Sequence, residues 1–246
     1  MSDIGAALLA FWGAIGLDAG LLARYGPRVL GGLWITLQLV AFSVSIGFVL
    51  AVPLAILRCD GPAPARNAVL AFSIFFRGTP LLAQIYLVYY GAGQFHDALD
   101  SLGLWPYLRE AWFCALATFT LNTAAYQCEI LRGGLQSLPR GQREAAKAMG
   151  LGPFPLYARV LLPQALIISL RPLGNELVLM IKASSVAALI TVFDIMGETR
   201  LAYSRTYDFQ VYLWAALVYL VLVEGVRIAW QIFERRLTRH LALRRA

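Results

Sequence analysis

Between Arg28 and Arg58 the chain reads VLGGLWITLQLVAFSVSIGFVLAVPLAIL (residues 29–57) without a single charge. A helix needs about 20 apolar residues to cross about 30 Å of hydrocarbon. This run is long enough to span with tilt, and Pro53 lies near its end. The composition agrees. Of 246 residues, 59% are hydrophobic and 14% charged, with a mean hydropathy of +0.66. An average soluble domain is roughly 45–50% apolar and 25% charged. Disorder, collagen and coiled coil are excluded, and the solvent is read as lipid.

Working outward, Asp60-Gly61-Pro62-Ala63-Pro64 is a turn signal. Arg66 and Arg77 bracket an apolar stretch. An arginine at mid-bilayer costs about 2.5–3.5 kcal/mol, so residues 68–76 are expected at the interface. Thr79-Pro80 reads as an N-cap followed by a proline at the first helical position. It would open a second span over about 79–95; a single kinked helix from Arg66 onward is the competing reading. A polar loop over 96–110 follows. Further spans are expected at about 111–130, 165–192 and 209–233. The fold class is therefore an all-α integral membrane protein with five transmembrane helices. Ile4–Leu17 is too short to span and ends at Asp18, so residues 1–28 are read as an N-terminal interfacial segment. Residues 29–233 form the transmembrane domain and 234–246 a basic tail.

The formal charge is +7, from 21 Lys and Arg against 14 Asp and Glu. In a soluble protein that excess would suggest nucleic acid; here a positive-inside bias explains it and no nucleic acid is expected. The segments 58–77, 132–171 and 227–246 hold most of the basic residues, whereas the opposite loops are acidic. Those basic segments are expected in the cytoplasm, with the N-terminus outside and the C-terminus inside. Cys59, Cys114 and Cys128 form neither a disulfide framework nor a metal pattern, and His96 and His240 stand far apart. No metal site is expected. No Gly-x4-Gly-Lys-Ser/Thr run occurs, so no P-loop is available to cradle ATP phosphates. A nucleophile–His–acid set is equally lacking, so no catalytic residues are assigned.

The long basic loop over about 132–164 carries Glu144-Ala145-Ala146-Lys147-Ala148-Met149-Gly150, then nine residues, then Val160-Leu161-Leu162-Pro163. Its alanine-rich start predicts a short helix from Arg140. Gly150 supplies the stop, and Pro153 and Pro155 prevent continuation. A second helical piece is expected around 156–162. Small alanines leave one face flat enough for a partner's backbone. The plain alternative is a solvated connection with Glu144 and Lys147 serving solubility.

This spacing resembles the EAA loop of ABC-importer permeases, with Val160 in place of isoleucine. Phe76-Arg77-Gly78-Thr79-Pro80-Leu81-Leu82-Ala83-Gln84 resembles the Arg-Gly-Thr-Pro segment of polar amino acid permeases. Asn122-Thr123-Ala124-Ala125-Tyr126 with Glu129 and Arg132-Gly133-Gly134 resembles their third span. Gly174-Asn175-Glu176 through Lys182-Ala183-Ser184-Ser185 resembles their fourth. The whole is similar to the histidine and opine branch. That resemblance implies a multi-pass subunit of a bacterial inner membrane, with a periplasmic N-terminus and a cytoplasmic coupling helix. It implies an ATPase dimer holding ATP and Mg, with no cofactor on this chain, and a periplasmic solute-binding protein. It also implies a homologous second permease, with a heterodimer favoured. Arg143, Glu144, Ala145, Ala146 and Gly150 would then couple to the ATPase.

Ionisable groups inside a membrane usually face an interior or a cavity. Asn122, Gln127, Glu176 and Lys182 are the candidates for a substrate path. The bland alternative is that they satisfy one another or backbone carbonyls at helix contacts. Glu176 and Lys182 lie about 120° apart on a helix and are not expected to pair. Glu129 near the membrane edge, the Tyr86, Tyr89 and Tyr90 belt, and the Glu224/Arg227 pair are read as structural. The expected function is the permease subunit of an ATP-driven importer for a polar, cationic or opine-type amino acid. A secondary transporter, and a membrane assembly subunit without a transport path, are the alternatives.

Overall fold

The structure is a computed structural model that describes residues 18–242. The expected interfacial run over 4–17 lies outside the described residues. Among those described, every regular element is helical.

Helix α1 (Ala19–Asp60) begins ten residues before the uncharged run. Its start is set by Asp18, whose Oδ1 accepts hydrogen bonds from the Gly20 and Leu21 amides at 2.7 and 3.2 Å. The sequence reading placed this stretch in a separate interfacial segment, and its basic residues are Arg24 and Arg28. Both arginines are exposed and cost the helix nothing. Buried positions on α1 recur every three or four residues and are small: Gly32, Ser43, Gly47, Ala51 and Ala55 among them. Lipid tails give helices no hydrophobic reason to associate, so close backbone approach through small residues drives packing. At Gly47 a Cβ would lie 2.6 Å from Thr123 Cγ2 of the neighbouring helix.

That neighbour is α4 (Ala111–Gln136), packed against α1, α2 (Ala63–Gly78), α3 (Leu81–Ala92) and α6 (Leu162–Ala183). Among the described residues, three helical segments are long and apolar enough to cross a membrane: 19–60, 153–190 and 210–239, with a fourth if α2 and α3 form one bent span. α4 is not in that set although its 26 residues cover about 39 Å. Its buried face carries Thr118, Thr120, Asn122, Thr123 and Gln127. A helix enclosed by other helices does not need lipid-compatible side chains all round.

The chain breaks where the second expected span begins. α2 and its continuation from Leu81 meet at 103°. Proline lacks an amide proton and pushes the residue before it into an extended conformation; Thr79 accordingly has φ −107° and ψ 147°. Thr79 does not cap α3, as the sequence suggested. Its hydroxyl turns back and donates to Phe75 O at 2.8 Å. α3, with 12 residues, covers only about 18 Å.

Beyond α4, the short helix α5 (Arg140–Ala148) leads through a proline turn and a π-helical stretch, Leu156–Leu161, directly into α6. A 3-10 segment (Ser184–Ile190) closes α6. Asp194 then caps α7 (Ile195–Thr206), accepting from the Gly197 amide at 2.8 Å. α8 (Gln210–Ala242) runs unbroken past residue 234, so the described part of the basic tail is the end of a helix. One core cluster joins α1, α3, α4, α6 and α8. A second, at the end carrying α5, joins α1, α4 and α6 to the loop.

Candidate functional site

The break at Thr79-Pro80 frees backbone carbonyls inside the bundle. Unsatisfied carbonyls there are costly, and irregular backbone survives only where other groups bond it. Gln84 does so from α3. Its Nε2 donates to Phe76 O, Thr79 O and Thr79 Oγ1 at 2.9, 3.1 and 2.8 Å. Asn122 reaches across from α4, donating to Phe76 O and to Gln84 Oε1, each at 3.0 Å. Both amides are buried. The next residue of α4, Thr123, donates to Glu176 Oε1 of α6 at 3.1 Å. Gln127 donates to Thr123 Oγ1 at 3.2 Å and to Val44 O at 3.3 Å. A polar layer thus threads α1, α3, α4 and α6 at one depth.

Three of the four path candidates, Asn122, Gln127 and Glu176, belong to that layer and are buried against neighbouring helices; Gln127 also lines a cleft of about 450 Å³ between α1, α6 and α8. Asn122 repairs the break; Gln127 and Glu176 bridge helices. The physical reason is that each amide or carboxylate finds a backbone or hydroxyl partner within the bundle. Lys182 differs: it is exposed on α6, away from Glu176. Glu129 pairs with Arg132 at 2.7 Å and stands 3.8 Å from Arg58, and Glu224 pairs with Arg227, as the structural reading expected.

The loop beyond α4 is built for presentation. Gly150 takes φ +74°. The Leu151 amide bonds back to Ala146 O at 3.0 Å, a Schellman closure. Ala146 and Leu151, the two residues joined by that bond, both enter the core cluster. Ala146 is only 1% exposed. This corrects the expectation of a flat face made of Ala145 and Ala146 together: Ala146 packs against the chain's own core, and Ala145 and Glu144 remain outside. Arg143 also turns inward, donating to Asp60 at the end of α1. Tyr157 donates to the same carboxylate. A cleft of about 470 Å³ opens beside α5, lined by Asp60, Gln136, Leu138, Arg140 and Glu144 among others.

The sequence reading missed several residues. Met149 and Phe154 flank the glycine stop and are 73% and 81% exposed. Two large apolar side chains held in solvent by a capped helix and a proline turn form a contact surface in search of a partner. Gln84, Asp60 and Tyr157 were also missed. Gln84 carried a signal, because a lone amide in an apolar helix five residues after a break is suited to bond that break. Nothing in the sequence pairs Asp60 with Arg143 and Tyr157.

A helical bundle with an apolar coat, a polar interior and a protruding capped loop defines a polytopic membrane transport subunit. Residues 43–239 match the family described as binding-protein-dependent transport system inner membrane component, and the chain belongs to it. The octopine transport system permease protein of Rhizobium radiobacter is 46% identical over 210 residues, covering 83% of this chain and 84% of the relative. The nopaline transport system permease protein of Agrobacterium fabrum (strain C58) is 38% identical over 229 residues, covering 93% and 95%. The arginine ABC transporter permease protein of Escherichia coli (strain K12) is 39% identical over 168 residues, covering 68% and 75%. The crystal structure of an amino acid ABC transporter with histidines superposes with a TM-score of 0.75 at 29% identity, over 89% of this chain and 99% of that one. The chain is a permease subunit of the ABC-importer type, a multi-pass component of the inner membrane.

Proposed function

We propose that this permease carries polar amino acids of the cationic or opine class into the cell. An ATPase dimer holding ATP and Mg docks on α5, and a periplasmic binding protein delivers the substrate. A homologous, non-identical permease completes the path. In this reading the chain crosses the membrane five times, through α1, the broken pair α2–α3, α4, α6 and α8. The N-terminus is periplasmic and the C-terminus cytoplasmic, as the basic loops favour. The hydrolysis chemistry resides on the partner ATPase.

The observation that carries the proposal is the exposed Glu144, Ala145, Met149 and Phe154 patch on a loop whose other side is anchored in the core. Similarity to opine and arginine permeases supports the substrate class. Lys182, exposed on α6, is the path candidate that remains available to a translocating solute.

The test is reconstitution of the complex that copurifies with the chain. Proteoliposomes should accumulate labelled arginine or octopine only with ATP in the lumen, on the ATPase side, and with the binding protein outside. Accumulation driven by an ion gradient without ATP would overturn the reading.

A further inference from the structure

Docking an ATPase on α5 moves substrate only if α5 carries the spanning helices with it; the inference that follows rests on that proposed docking. α5 is held to the bundle in three ways. Ala146 and Leu151 contribute apolar packing. Gln142 and Gln164 exchange amide hydrogen bonds at 3.0 Å in each direction, tying α5 to the start of α6. The third attachment is Asp60, the last residue of α1, whose Oδ2 accepts from both Arg143 of α5 and Tyr157 of the π-helical stretch. The Arg143 guanidinium also lies over the Tyr157 ring, 5.9 Å from its centroid.

These attachments differ in kind. Apolar contacts are non-directional, so α5 could slide on them. Charge-assisted hydrogen bonds to one carboxylate are directional and strong. Asp60 alone joins three segments at one atom: the end of α1, the docking helix and the stretch that becomes α6. We propose that Asp60 is a positioning residue which locks α5 to α1 and to the root of α6. Displacement at the docking surface then turns two spanning helices together. The π-helical stretch beside it, with its looser bonding geometry, is where α5 and α6 would otherwise part.

Asp60 is half-exposed, and a pair of that exposure contributes little to overall stability. Removing it should therefore leave the fold and the ATPase contact in place while loosening the transmission. In the full complex with binding protein in liposomes, Asp60→Asn should keep its membrane level and its bound ATPase within about twofold. Substrate-stimulated ATP hydrolysis should persist, but substrate moved per ATP should fall at least about fivefold. Asp60→Glu should restore most of that ratio, and Tyr157→Phe should lower it partway. Joining Gln142→Cys to Gln164→Cys with a short bifunctional maleimide, in a chain lacking Cys59, Cys114 and Cys128, should recover coupling in the Asp60→Asn background. An unchanged transport-to-hydrolysis ratio in Asp60→Asn and Tyr157→Phe overturns the inference and leaves the docking proposal standing. ATPase that binds independently of α5 in the unmodified chain overturns the docking proposal itself. If Asp60→Asn is lost from the membrane, Tyr157→Phe, which removes one oxygen, carries the test; loss of both makes Asp60 a folding residue and overturns the inference.

Discussion

Gln84→Met isolates the energetic role of the repaired break. Methionine keeps the unbranched shape and removes only the amide. The change deletes three donated hydrogen bonds and the one accepted from Asn122. Hydrogen bonds between membrane helices average about 0.6 kcal/mol each, so four of them sum to roughly 2.4 kcal/mol. A second route counts orphans. Phe76 O keeps Asn122, but Thr79 O and one Asn122 N–H lose their Gln84 partner, at about 1–3 kcal/mol apiece. The second route gives about 2–6 kcal/mol and the first falls at its lower end, so a cost of about 2–4 kcal/mol is expected. For a chain of this size each kcal/mol shifts the melting temperature by roughly 2–4 °C, so a drop of about 5–15 °C is expected. Gln127→Met is the matched control. It removes two long hydrogen bonds, at 3.2 and 3.3 Å, and also a buried Oε1 that has no hydrogen-bond partner. Losing that orphan offsets part of the cost, and the net change should stay within about 1 kcal/mol. The assay is fluorescence-detected size-exclusion after heating in one detergent. A shift for Gln84→Met no larger than that for Gln127→Met would refute the claim that these amides hold the broken segment.

Four further outcomes follow from named residues. Gly150→Val places a β-branched residue at φ +74°, which should misdirect the chain after α5 and weaken ATPase copurification while membrane levels hold. Ala145→Trp should likewise hold the docking surfaces apart, whereas Ala146→Trp should destabilise the permease itself, since Ala146 lies in the core; expression of the two variants side by side separates the faces. In a chain lacking native cysteines, Ser101→Cys should react with an impermeant thiol reagent in intact cells and Ser137→Cys should not, both sites being exposed; the reverse pattern inverts the topology. Burial pushes the Asp194 carboxyl, in the loop before α7, up from 3.8 to about 6. A raised folded value means stability is full below about 3.8 and is lost as pH rises through about 6. Thermal stability should therefore decline between about pH 4 and pH 6 and level off above that, and Asp194→Asn should flatten that slope.

The solvent, the helical class and the capped helix before Gly150 were legible in the amino-acid order. Each depends on local information: an uncharged run of spanning length, an apolar composition, and a glycine two residues beyond an alanine-rich helix. Gly150 and the proline stop were legible because a left-handed residue and a missing amide proton act on their own neighbours. What the tertiary structure decided is which polar groups answer one another. Nothing in the sequence around Asn122 pairs it with a carbonyl 46 residues away. Ala146 read as part of an outer face until the core closed over it. The break at Thr79-Pro80 was visible as a boundary, yet its 103° bend is set by α4 and by Gln84. Hydrogen-bond partners far apart in sequence leave no periodic trace, so their pairing emerges only when small residues such as Gly47 let the helices close to contact.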